Sequence, residues 1–180
     1  MKKFLIYIFI IILFWGCSSS DKPVFQFDNE YNQYVKMCQK MEIDSIIQHN
    51  DYTIIFGWTE WCGASQIRLK ESLIPFLAEI PENIGVISIC CSNADKVANF
   101  LKENECKYPV YLLSGSWGGL DKVRFNRFFH ALFKNYKSVN YIPIVILCDV
   151  QKQVLNWDTT TNRYYEIDYS IQQIKKGISL

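Results

Sequence analysis

Short runs rich in β-branched and aromatic residues recur along this chain: "YTIIFGW" at 52–58, "IGVISICC" at 84–91, "YPVYLL" at 108–113 and "YIPIVIL" at 141–147. The first has the length and unbroken apolar character of a strand covered on both faces, which is how a buried parallel strand reads. Between the runs lie stretches with apolar residues at steps of three and four, the spacing of helices. The fourth run continues through the polar "DVQKQ" into "VLNWDT", the pattern of a terminal hairpin. Strands alternating with helices and ending in a hairpin restrict the chain to an α/β architecture, a mixed central sheet with helices on both faces.

The helical spacing predicts a first helix over 28–48, with Tyr31, Tyr34, Val35, Cys38 and Met41 as its core stripe. A second holds Ile67, Leu69, Leu73, Ile74, Phe76 and Leu77, with Pro75 as an internal kink. A third comes after a Ser92–Asn93 cap and carries Val97, Phe100 and Leu101 on one side. After the Gly-rich turn "SGSWGG", a fourth over 121–136 spreads Phe125, Phe128, Phe129, Leu132 and Phe133 around its surface, so it is either well buried or docks a partner. A short helix over 169–176 closes the chain.

The ends speak to location. Lys2 and Lys3 precede "FLIYIFIIILFW", twelve apolar residues, short for a spanning helix and suited to a signal-peptide core. The run stops at Gly16–Cys17, with "SSSDKP" after it, and this junction resembles a bacterial lipoprotein signal in which Cys17 becomes the lipidated anchor; Phe14 and Trp15 depart from that pattern. A short uncleaved anchor is the other reading. Either places the domain in an oxidising space outside the inner membrane. The expected organisation is a signal peptide at 1–16, a tether at 17–27 and one domain at 28–180, a length that suits a single core. Lys and Arg number 19 against 18 Asp and Glu, without a basic tract, so nucleic acid is not an expected partner.

The motif "FGWTEWCGAS" at 56–65, the stretch 86–113 and "YIPIVILCDVQKQVLNW" at 141–157 together resemble the thioredoxin superfamily, most of all its exported, membrane-tethered branch. The resemblance implies a thioredoxin-like fold with an inserted helix–strand unit. It puts Cys62 at a helix start, where unpaired N–H groups and the helix dipole favour a thiolate. It also implies that Ile142 and Pro143 form a cis-proline segment beside that sulfur, pairing with bound substrate together with Trp61, Gly63 and Ala64. Trp58 and Trp61 match the aromatic positions flanking the cysteine. Two departures matter: Ser65 stands where a second cysteine is usual, and Phe56 replaces a buried acid. Ser65 can donate a hydrogen bond to the Cys62 thiolate, but it cannot form a disulfide. The expected activity is therefore monothiol exchange, isomerisation or holding of cysteine-containing extracytoplasmic proteins or small thiols, without a cofactor or metal.

Five further cysteines lie within the domain. Cys38 and Cys148 read as inert buried thiols. Cys90 or Cys91 is a candidate distant resolving thiol at a strand end, and Cys106 is either exposed or bridged to one of them. Two rival functions stand beside exchange. Thr59, three residues before Cys62, has the Thr-x-x-Cys spacing of a thiol peroxidase, with Arg124 or Arg127 as the supporting cation. A redox-inactive, lipid-tethered binding module would instead dock partners through the aromatic 117–136 segment and Tyr164, Tyr165 and Tyr169. His49 and His130 lie apart, without metal-ligand spacing, and a hydrolase using Cys62 lacks a placeable His and acid.

Overall fold

The computed structural model describes residues 30–164 and 166–176. The expected signal peptide, Cys17, the tether, residues 28–29 and Tyr165 lie outside the described residues.

The central strand β2 (Tyr52–Trp58) runs parallel to β3 (Ile84–Cys90) and antiparallel to β5 (Ile144–Asp149). With β1 (Val35–Met37) and β4 (Val110–Leu112), the sheet order is β1-β4-β3-β2-β5. Successive side chains of a strand point to opposite faces, so each apolar run feeds two cores at once. Ile54, Phe56, Trp58, Val86 and Cys90 enter one core, whereas Ile55, Ile87, Ile89, Ile144 and Ile146 enter the other.

Helices cover both faces. The first core is closed by Leu69, Leu73 and Phe76, by Val97, Phe100 and Leu101 of α4 (Ala94–Glu103), and by Ile167, Ile171 and Ile174 of α6 (Ile167–Lys175). The second is closed by Ile43 and Ile47 of α1 (Lys40–Gln48) and by the phenylalanines of α5 (Asp121–Leu132). The α4 and β4 elements form the inserted helix–strand unit, and Asn93 caps α4 by accepting from the Asp95 amide at 2.8 Å. The helix after Cys62 is α2 (Gly63–Arg68), a π turn (Leu69–Leu73) and α3 (Ile74–Leu77) in succession. The wide turn falls just before Pro75, whose missing N–H breaks the regular ladder.

Two expected elements differ. The single helix over 28–48 is a 3-10 turn (Glu30–Tyr34), then β1, then α1. Val35–Met37 extends because it meets the open edge of β4 and pairs with Val110–Leu112, so the ladder outweighs the helical spacing. Met41 is therefore 83% exposed, and Ile43 and Ile47 supply the buried stripe. The hairpin's second arm shrinks to a single bridge, Cys148 to Val154. The buried Asn156 side chain takes its place along β5, its carbonyl accepting from the Leu147 amide and its amide donating to the Val145 carbonyl, both at 2.9 Å. Trp157–Asp158 then pairs with Arg163–Tyr164 as a separate two-stranded ribbon, β6 and β7.

Candidate active site

Strand β2 ends at Trp58, which is fully buried; its indole donates to Ser88 Oγ at 2.8 Å and packs against Phe100. That anchor fixes where the chain leaves the sheet. A turn comes next, with the Cys62 amide bonded to the Thr59 carbonyl at 3.2 Å. It is held from two sides, by Lys96 of α4 on the Glu60 carboxylate at 3.1 Å and by the Gln66 amide on the Glu60 carbonyl. Cys62 is the N-cap of α2, its carbonyl accepting from the Gln66 amide at 3.1 Å. Its sulfur makes no cap and donates instead to the Ile142 carbonyl at 3.6 Å. The Ile142–Pro143 peptide is cis and leads directly into β5.

The sulfur is half-buried and opens onto a cavity of about 440 Å³, within the size range of ordinary ligand sites. Trp61, Leu120, Tyr141 and Ile142 form its apolar walls, and Asp121, Lys122 and Arg124 its charged rim. Trp61 is 64% exposed and held upright by its indole N–H, which donates to Asp121 Oδ2 at 3.0 Å. Gly118 (φ 63°) and Gly119 (φ 78°) turn the chain there through left-handed conformations that favour glycine, and this aims the start of α5 at the motif. A second cavity of about 280 Å³ shares Tyr141 and is lined by Ala64, Arg68, Pro143, Arg163 and Glu166.

Of the expected site residues, Trp61, Cys62 and Ile142 line the first cavity and Ala64 and Pro143 the second. Gly63 is exposed, with open space where a Cβ would stand. Ser65 differs from expectation: it is fully buried, and its hydroxyl has no hydrogen-bond partner. No hydrogen bond joins it to Cys62, whose thiol donates to the Ile142 carbonyl instead. Sequence reasoning misses Leu120, Asp121 and Tyr141. The Gly118–Gly119 pair before a helix is the available signal for the first two, and adjacency to Ile142 for the third.

The other described cysteines are free thiols. Cys106 is neither exposed nor bridged but buried against the first core. Cys90 faces the first core and Cys91 the second, as strand alternation demands. Burial holds the Cys90 thiol well above its ordinary range and raises that of Cys106. Cys38, Cys91 and Cys148 are each pushed up to about 12, chiefly by burial, with the nearby carboxylates of Glu42, Asp121 and Asp149 respectively adding to it. A thiol that ionises near 12 is on the order of 10⁻⁴ to 10⁻⁵ thiolate at neutral pH, and its reactive fraction grows only as pH rises. Iodoacetamide at pH 7.5 is therefore expected to modify Cys62 in the native protein and to reach Cys38, Cys91 and Cys148 only after unfolding. Peptide mapping by mass spectrometry checks this.

The thiol-peroxidase arrangement is not assembled. Thr59 is fully buried, and its hydroxyl has no partner. Arg124 donates to the Gly119 carbonyl and faces Asp121, and Arg127 donates to the Trp117 carbonyl at 2.8 Å. Phe125, Phe128, Phe129 and Phe133 are at most 1% exposed and Tyr164 is 5% exposed, so they are core rather than a docking face. Both histidines make exposed local hydrogen bonds, to the Ser45 carbonyl and to Ser138. Among the described residues, no group of three His, Cys, Asp or Glu is placed to hold a metal ion, and no helix is long and apolar enough to cross a membrane.

A mixed five-stranded sheet between two helical layers, with a cysteine at the helix start after the central strand and a cis-proline facing it, is a thioredoxin-like fold. Solved structures of that fold superpose on the chain at low identity. The thioredoxin domain of a thiol-disulfide oxidoreductase from Bacteroides vulgatus matches at 11% identity, covering 73% of this chain and 82% of that one, with a TM-score of 0.53. A thioredoxin-related protein from Neisseria meningitidis serogroup B matches at 15% identity over 72% and 85%, and an exposed lipoprotein thioredoxin from Streptococcus pneumoniae at 16% over 74% and 89%, both with TM-scores of 0.50. No protein-family model matches the chain, and no curated protein matches it in sequence.

Proposed function

We propose that this chain is a membrane-tethered, extracytoplasmic thiol–disulfide exchange protein acting through the single nucleophile Cys62. The observation that carries the reading is the contrast among the sulfurs. Cys62 alone among the described cysteines lines a cavity beside the Ile142 carbonyl, while the others lie buried in the cores or have thiols raised by burial. The solved structures sharing the fold, named as a thiol-disulfide oxidoreductase and an exposed lipoprotein thioredoxin, support the chemistry and the location. The Gly16–Cys17 junction supports the anchor.

The step balances without a cofactor. The Cys62 thiolate attacks one sulfur of a substrate disulfide, an S–S bond forms to Cys62, and the second substrate sulfur leaves as thiolate. A thiolate from the substrate itself or from a small thiol then attacks the adduct and restores Cys62. The first route isomerises a disulfide, and the second transfers it. Ser65 offers no sulfur for internal release, so the adduct persists until such a thiol arrives.

The purified domain, offered an aryl mixed disulfide with a coloured leaving group, is expected to release one equivalent and to carry the adduct on Cys62. If Cys62 is reachable by iodoacetamide yet no leaving group appears, the binding-module reading replaces this one.

A further inference from the structure

We infer that the substrate is a polypeptide whose reactive cysteine is flanked on both sides by acidic residues, lying in a groove that runs past Cys62 in two directions. This deepens the exchange reading and rests on it. The groove is formed by two neighbouring cavities. One opens on the Trp61, Cys62 and Ile142 side, the other on the Ala64 and Pro143 side, and Tyr141 lines both. A small thiol would fill one cavity and leave the other empty, whereas an extended chain presenting a disulfide to Cys62 occupies both.

Charge selects among such chains. At the first end, Arg124 faces Asp121 at 3.6 Å and is largely neutralised, but Lys122 is exposed and has no carboxylate partner among the described residues. At the second end, Arg68 is committed to Glu166 and Asp168. Arg163, exposed, lies 5.9 Å over the Tyr141 ring and likewise has no carboxylate partner among the described residues. One cation without a carboxylate at ion-pair distance among the described residues thus lines each cavity, Lys122 in the cavity that Cys62 opens onto and Arg163 in the neighbouring one. The first cavity's walls, Trp61 at 64% and Leu120 at 71% exposed, add a seat for an apolar side chain near the cysteine. Rim charges of this kind act mostly on encounter rate and fade with salt.

The test uses three peptides of equal length, each bearing one cysteine as the same aryl mixed disulfide and flanked by acidic, neutral or basic residues. Rates with Cys62 are divided by each peptide's rate with 2-mercaptoethanol, which removes intrinsic reactivity. At low salt the acidic peptide is expected to react about tenfold faster than the basic one, with the ratio approaching unity in 1 M salt. In the doubly substituted Lys122→Glu, Arg163→Glu protein the order should invert relative to the neutral peptide. Equal rates for all three peptides, or an unchanged order in the double variant, would overturn the assignment while leaving thiol exchange standing. A small dicarboxylic disulfide reacting as fast as the acidic peptide would give the groove to a small thiol and equally overturn it. No reaction with any disulfide would remove the exchange reading, and this inference with it.

Discussion

Ser65→Cys is expected to raise the turnover of disulfide reduction, with dithiothreitol as donor, by on the order of a hundredfold. The reason is proximity. Residues three apart at a helix start are neighbours, with Cβ atoms about 5–6 Å apart, so an introduced thiol there sits next to the Cys62 adduct. It attacks the Cys62–substrate disulfide from within the same molecule, releases the substrate thiolate and leaves an internal disulfide that the dithiol reduces. Effective concentrations for well-placed intramolecular groups exceed any millimolar external thiol by many orders of magnitude, and a hundredfold allows for imperfect geometry and for slow reduction of the internal bond. Ser65 is fully buried with an unpartnered hydroxyl, so the exchange to sulfur breaks no hydrogen bond; the larger atom costs about 1 kcal/mol of packing. Insulin-reduction rates for the two proteins, with thiol counts of the oxidised variant, give the answer. Unchanged turnover in a folded variant would show that adduct release is not what limits the natural chain.

Cys62→Ala is expected to abolish adduct formation, a loss of at least about a thousandfold, because the remaining described sulfurs are buried, or half-buried in the case of Cys38, and all have thiols raised by burial and so protonated at neutral pH. The same substitution should move stability by no more than about 1 kcal/mol, since the half-buried side chain contributes one long hydrogen bond to the Ile142 carbonyl. Mixed disulfides counted on non-reducing gels, beside a denaturant melt, separate the two effects. Adducts that survive in a folded Cys62→Ala protein would transfer the chemistry to Cys90, Cys91 or another thiol. Partner binding that survives without any adduct would favour a docking module.

Much of the frame is legible in the sequence because it rests on local chemistry. The β2, β3 and β5 runs are long, β-branched and apolar enough that no other element suits them, and Asn93 announces the start of α4. Cys62, Ser65, Ile142 and Pro143 are singled out through the resemblance of their two motifs to the thioredoxin superfamily. The first helix and the hairpin arm are both misread. Val35–Met37 is a strand only because β4 offers a free edge, and 153–156 does not form a second arm on β5 because Asn156 satisfies β5 with its side chain. The β4 partner lies far beyond the window that a periodicity can sense, and the Asn156 bonds come from a side chain, which a pattern of apolar residues does not register.

The residue types decided the α/β alternation and the lack of a second sulfur three residues after Cys62, and the resemblance of its motif set that sulfur at a helix start. Tertiary structure decided which atoms meet. It turned the Cys62 thiol to a carbonyl 80 residues away rather than to Ser65, buried the α5 phenylalanines in a core, and stood Trp61 against Asp121 to wall a cavity. Local sequence fixes backbone preference and burial, both of which act over a few residues. Pairing between distant segments depends on where the whole sheet sets them down.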